Sequence, residues 1–101
     1  GESFGMVLTR ALACAAPVVA SDIPGYRDVM TPETSVAVPP GDPAALADAL
    51  VALTEDEPRR VALGAAAREL AIARYSWDDI ARRLIQIYRD VTGLEPARAA
   101  A

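Results

Sequence analysis

Histidine is absent from this chain, and cysteine occurs once, as Cys14, within an apolar helical stretch. A single cysteine closes no disulfide within the chain, which makes a reducing cytosol the expected compartment. With no histidine and one thiol, a structural zinc has no ligand set. No apolar run is long enough to span a bilayer, and no signal peptide is visible. The basic residues are scattered rather than gathered into a patch, and the formal net charge is −4. That pattern argues against nucleic acid as a main partner. There is no internal repeat and no linker long enough to divide the chain.

What is present points to a folded chain. Hydrophobic residues make up 52% of the sequence, too many for a disordered segment. A length of 101 residues suits one small domain or part of one, with modest capacity to bury a core. The chain opens without Met in the middle of a motif, so it is expected to be a fragment of a longer protein.

The first ten residues, Gly1-Glu2-Ser3-Phe4-Gly5-Met6-Val7-Leu8-Thr9-Arg10, read as a short polar loop running into a helix over about residues 4–14. Val7, Leu8, Ala11 and Leu12 give that helix one apolar face. Glu2 or Ser3 can cap it by accepting a free amide proton of the first turn. Gly5 has no side chain and lets a ligand come close to the backbone. Exposed amides at the positive end of a helix dipole make a seat for a phosphate or a sugar hydroxyl. An ordinary capped helix fits the same ten residues.

After this helix, Ala15 and Ala16 occupy a corner where a left-handed residue is expected, and Ala is strained there. Pro17-Val18-Val19-Ala20 reads as a buried parallel strand. Ser21-Asp22-Ile23-Pro24-Gly25 is the loop leaving it. Such loops line ligand crevices in α/β sheets, although Ser21 and Asp22 are also common turn formers. A short helix is expected over Tyr26–Met30, a break at Thr31-Pro32-Glu33-Thr34, and a second strand at Val36-Ala37-Val38. Two strands joined by a helical crossover make a βαβ unit.

Asp42-Pro43 is a strong helix start, an N-cap with proline at the first position. Leu46, Ala49, Leu50 and Leu53 form the apolar stripe of that helix. The next helix starts at Pro58 and runs to about Arg74, with Leu63, Ala66, Ala67 and Leu70 toward the core. Gly64 costs that helix about 1 kcal/mol relative to Ala, so a packing reason is expected for it. Ser76-Trp77-Asp78-Asp79 has the form of a capping box, with Asp79 reaching back. The last helix runs to about Val91 and places Trp77, Ile80, Ala81, Leu84, Ile87, Tyr88 and Val91 on one stripe, expected to pack on the core rather than on a membrane. Gly93 can cap its end, and residues 93–101 are expected to form a frayed tail.

Three blocks together carry a family resemblance: Glu2-Ser3-Phe4-Gly5-Met6-Val7-Leu8 with Ala11-Leu12-Ala13-Cys14, then Pro17-Val18-Val19-Ala20-Ser21, then Pro39-Pro40-Gly41-Asp42-Pro43 with Tyr75-Ser76-Trp77. The chain resembles the C-terminal, donor-binding domain of retaining nucleotide-sugar glycosyltransferases of GT-B architecture (family 4, group 1 type). The fold this implies is α/β: the C-terminal part of a Rossmann-like domain, with two short parallel strands and several helices. Residues 1–92 would be the C-terminal half of that domain.

The resemblance implies that the full-length protein transfers a hexose from a UDP- or GDP-sugar to a lipid, glycan or small-molecule acceptor with retention of configuration. It implies no cofactor and no metal. It also implies an N-terminal domain of the same protein, which would carry the acceptor site and any membrane attachment of an otherwise cytoplasmic enzyme. The fragment alone is expected to be inactive. By resemblance Glu2 is the catalytic carboxylate, bonded to hydroxyls of the donor sugar near the transferred carbon. Ser3, Phe4, Gly5, Met6 and Val7 would hold the donor. The family pattern is a Glu, seven residues and a second Glu, which accepts hydrogen bonds from ribose hydroxyls. Here the second position is Arg10, eight helical residues or about 12 Å along from Glu2. Arg has donors only and the opposite charge, so it cannot play the same part. Arg10 contacts ribose oxygens as a donor, leans toward the diphosphate, pairs with a carboxylate elsewhere in the protein, simply faces solvent, or marks a non-catalytic homologue with a degraded donor site.

Overall fold

The computed structural model describes residues 2–94. Helix α1 spans Met6–Ala13, strand β1 Val18–Ser21, helix α2 Pro24–Arg27 and strand β2 Ser35–Val38. Helices α3 (Pro43–Thr54), α4 (Glu57–Tyr75) and α5 (Trp77–Thr92) follow. Of the frayed tail expected over 93–101, residues 95–101 lie outside the described residues, and Gly93 closes α5.

The strands pair in parallel, with Val18 opposite Ser35 and Ser21 opposite Val38. This is the expected strand–helix–strand unit. The crossover helix differs: it is a single turn at Pro24–Arg27, earlier than the expected Tyr26–Met30. Pro24 cannot donate an amide and suits the first turn. Thr34 then holds the chain out of helix, because its hydroxyl accepts from the Thr31 amide at 3.2 Å and lies 3.2 Å from the Ser35 hydroxyl.

One core joins α1, α4, β1 and the segment after α2. Leu8, Leu12, Val18, Val29, Ala67 and Ala71 are buried together. Small residues on α4 let α1 come close. The tightest point is Gly64, whose missing side chain leaves room for the carbonyl of Ala15. That carbonyl belongs to the corner after α1. Ala15 there has φ 56°, the left-handed conformation. Its amide donates to Leu12 O at 3.0 Å, and that of Ala16 to Ala11 O at 3.0 Å. These bonds make a Schellman closure built on alanine instead of glycine.

The helix starts follow local chemistry. Asp42 accepts from the Ala45 amide, Asp56 from the Arg59 amide and Ser76 from the Asp79 amide. The capping box at Ser76 is only half formed: the Asp79 carboxylate pairs with Arg83 at 2.6 Å instead of reaching back. Helix ends are closed by arginines. Arg68 donates to Ala13 O, Arg60 to Leu53 O and Thr54 O, and Arg83 to Arg74 O. Each cation meets the negative end of a helix dipole.

Two expected stripes are not core. On α3 only Leu53 is buried, and Leu50 is 50% exposed. On α5 no residue is buried, and Trp77 is 80% exposed. The spacing shows correctly which face of α5 is apolar, but no other described element covers that face. The radius of gyration is 17.5 Å, against about 13 Å for a compact domain of this length, as an uncovered terminal helix requires. No helix among the described residues is long and apolar enough to cross a membrane.

Candidate functional site

Glu2 does not cap α1, nor does Ser3. The residue at the cap position is Gly5, with φ 81° and no side-chain bond to the helix. The helix therefore starts at Met6, later than the spacing suggested. Glu2 instead folds over its own loop. Its Oε1 accepts from the Ser3 amide at 2.9 Å and the Phe4 amide at 3.3 Å. Amide protons from Phe4, then Gly5, hold its carboxyl below the usual glutamate range. At neutral pH Glu2 is thus an oriented anion, able to accept hydrogen bonds and to oppose positive charge. It is poorly suited to donate a proton.

The loop carrying Glu2 is pinned from three sides by residues distant in sequence. Gly25 lies under it so closely that a Cβ there would stand 2.1 Å from the Glu2 carbonyl oxygen. The Tyr26 ring backs Gly5, where a Cβ would meet Tyr26 Cδ1 at 2.8 Å. The Phe4 ring meets Tyr75 edge-on, with centroids 5.9 Å apart at 74°. Tyr75 in turn donates to Asp28 O at 3.4 Å. Leu8 and Leu12 hold the opposite side of α1 in the core. The head of α1 is thereby fixed while its front stays open.

On that open front Ser3, Phe4, Met6 and Val7 are exposed, and Gly5 is buried beneath them. The Leu8 amide donates to Gly5 O at 2.9 Å. The Met6 and Val7 amides belong to the open first turn, where the helix itself supplies no acceptor. No acidic residue lies within that turn, so the negative charge nearest the helix head is Glu2 in the loop before it. Arg10 sits one turn beyond Met6, exposed, on the wall of a groove of about 570 Å³ between α1, α4 and the start of α5. The sequence-derived residues Glu2, Ser3, Phe4, Gly5, Met6 and Val7 thus come together, with Arg10 on the neighbouring wall.

Asp22 does not join them. Its carboxylate takes Arg27 Nε at 2.6 Å and its amide donates to Val38 O at 2.8 Å, so it shapes the turn after β1. The residues that sequence reading missed are the supports Gly25, Tyr26 and Tyr75. Tyr75 stood within a resembling block, but nothing in its neighbourhood in sequence announces its contact with Phe4.

The geometry is that of a small α/β unit presenting backbone amides and one carboxylate at a helix head. The chain belongs to the glycosyl transferases group 1 family, whose family model matches residues 1–70. It is 47% identical over 92 residues to the phosphatidyl-myo-inositol mannosyltransferase of Mycobacterium leprae, covering 90% of this chain and 24% of that protein. It is 43% identical over 98 residues to the D-inositol 3-phosphate glycosyltransferase of Xylanimonas cellulosilytica, covering 96% and 23%. Among solved structures it resembles the sucrose-phosphate synthase of Thermosynechococcus elongatus, with TM-score 0.83 and 37% identity over 89% of this chain and 23% of that one. It also resembles Anabaena HepE, solved in complex with UDP-glucose, with TM-score 0.78 and 25% identity over 91% and 25%. The fold is therefore the C-terminal part of a Rossmann-like domain of the GT-B type, and the chain spans about a quarter of the length of these relatives.

Proposed function

We propose that this chain is the donor-binding part of a retaining hexosyltransferase, and that the whole protein moves a hexose from a UDP- or GDP-sugar to an acceptor. The observation that carries this reading is the open head of α1, braced from behind by Gly25, Tyr26 and Tyr75, in a chain of this family. HepE bound to UDP-glucose supports the donor class. The phosphatidyl-myo-inositol mannosyltransferase supports a hexose as the group moved.

The residues then divide the work by chemistry. The leaving diphosphate gains negative charge as the glycosidic bond breaks. Amides of Met6 and Val7, with Ser3, Phe4 and Gly5 forming the approach, stabilise that charge at the head of α1. Glu2, kept ionised by its own loop, accepts hydrogen bonds from sugar hydroxyls and favours positive charge at the anomeric carbon. The acceptor site and the N-terminal domain belong to the rest of the protein, as does any attachment to a membrane.

The test is titration of the full-length protein with UDP- and GDP-sugars. Binding of one of them, and its weakening in Glu2→Ala with the fold intact, is the expected result. A protein that binds no nucleotide sugar, or whose binding ignores Glu2, does not have this function.

Arg10 favours a second reading, a homologue that kept the fold with a degraded donor site, because it has no hydrogen-bond acceptor to offer a ribose. Restoring Arg10→Glu separates the two. A gain in donor affinity supports degradation, and a loss shows that arginine works where it stands.

A further inference from the structure

We propose that Arg10 reads the phosphate of the donor, so that this site selects its ligand by charge where a carboxylate at the same place would select by hydroxyls. The inference rests on the donor-site reading above and assigns one residue within it.

Three observations on the groove beside α1 point to this. First, the groove is lined by Phe4, Met6, Arg10, Arg68, Tyr75 and Trp77 among others, and no carboxylate is present in its wall. The chain as a whole is acidic, with net charge −4, so an acid-free wall with two guanidiniums is a local reversal of charge. Second, four of the other polar side chains there already have protein partners. Arg68 donates to Ala13 O, the Thr9 hydroxyl to Met6 O at 2.8 Å, and Tyr75 to Asp28 O; Ser76 accepts from the Asp79 amide. Of the two charged side chains lining the groove, Arg10 is the one without a protein partner among the described residues. Third, long side chains on a helix lean toward its N-terminus and cover the turn before their own Cα. Met6 and Arg10 line the same groove one turn apart, so the guanidinium can reach back over the first turn.

A guanidinium leaning over the first turn and the amides of that turn can grip one diphosphate from two sides. Arg suits this because its planar fork bonds phosphate oxygens in pairs and never loses its charge. The simpler role for Arg10 is complementing the dipole near the C-terminal end of the eight-residue α1. That role affects stability and not ligand choice, so binding distinguishes the two.

The experiment uses the full-length protein and compares the nucleoside diphosphate (UDP or GDP, whichever binds) with its parent nucleoside. Arg10→Gln is expected to weaken diphosphate binding on the order of ten- to hundredfold, the range of a charge-assisted bond, and to leave nucleoside binding unchanged. Arg10→Lys is expected to restore part of the loss, and the wild-type advantage for the diphosphate is expected to shrink with added salt. Equal loss for both ligands, or no loss in Arg10→Gln, overturns the assignment of Arg10 while leaving the donor site standing. A wild-type protein that binds neither a nucleoside diphosphate nor a nucleotide sugar overturns both. Melting temperatures of the variants, expected to stay near wild type, separate a binding effect from a folding one.

Discussion

Gly64 of α4 faces the backbone carbonyl of Ala15, and a Cβ at Gly64 would stand 2.2 Å from that oxygen. This contact locks the corner between α1 and β1 onto α4, because Ala15 is the left-handed residue that turns α1 toward β1. The helix gives up about 1 kcal/mol of propensity at Gly64 to permit it.

Gly64→Ala is therefore expected to destabilise the protein by about 1–3 kcal/mol, since the clash is with backbone and the propensity gained is smaller than typical overpacking costs. Thermal or denaturant unfolding measures it. A variant as stable as wild type would mean that α1 and α4 are not in this contact.

Ala15→Gly acts in the other direction. Left-handed backbone costs an L-residue about 1–2 kcal/mol, and the extra freedom of glycine in the unfolded chain returns about 0.4–1 kcal/mol of that. The net expectation is stabilisation of roughly 0.5–1 kcal/mol, visible as a higher denaturant midpoint. A lower midpoint would show that Ala15 is not left-handed in solution.

Glu2 predicts a pH dependence with a definite sign. Its carboxyl lies below the ordinary glutamate range because the Phe4 and Gly5 amides favour the anion. Whatever order it lends the loop is complete above the ordinary range and is lost as pH falls below it toward the lowered value. The amide resonances of Ser3 and Phe4, followed by NMR on lowering the pH, should move with an inflection below that of glutamate in an unstructured peptide of the same sequence. Glu2→Gln should abolish the movement. An inflection at the peptide's own value would show the loop bonds to be absent.

Gly25→Ala tests how the loop is supported. The added Cβ would meet the Glu2 carbonyl at 2.1 Å and must push the loop off its seat. Donor affinity of the full-length protein should fall at least about tenfold, the cost of misplacing a preorganised group by a fraction of an ångström to an ångström. Unchanged affinity in a folded variant would separate the loop from the site.

The parts of this protein that could be read early are those decided within a turn or two of chain. Asp42 with Pro43, and Ser76, start helices through bonds to an amide three residues on, so residue order suffices; Pro58 marked the start of α4, while its cap, Asp56, came from the structure. The strands were legible because β-branched runs bounded by proline admit little else. Gly64 announced a packing partner by its cost, although not which one. The opening block carried the family, and with it the candidate residues from Glu2 to Arg10.

Other features depend on residues that meet only after folding. Periodicity marks the apolar face of α5 but cannot say what lies against it, and in the described residues no element covers that face. A cap at Glu2 was a sound local expectation. Gly5 takes the cap position because Tyr26 lies against it and Gly25 lets the strand-side loop approach from beneath. Residue order along one helix or strand set the local geometry through short-range hydrogen bonds and sterics. Which amides stay open, and which charge stands beside them, was settled by contacts between segments far apart in the chain, where close packing leaves one arrangement that fits.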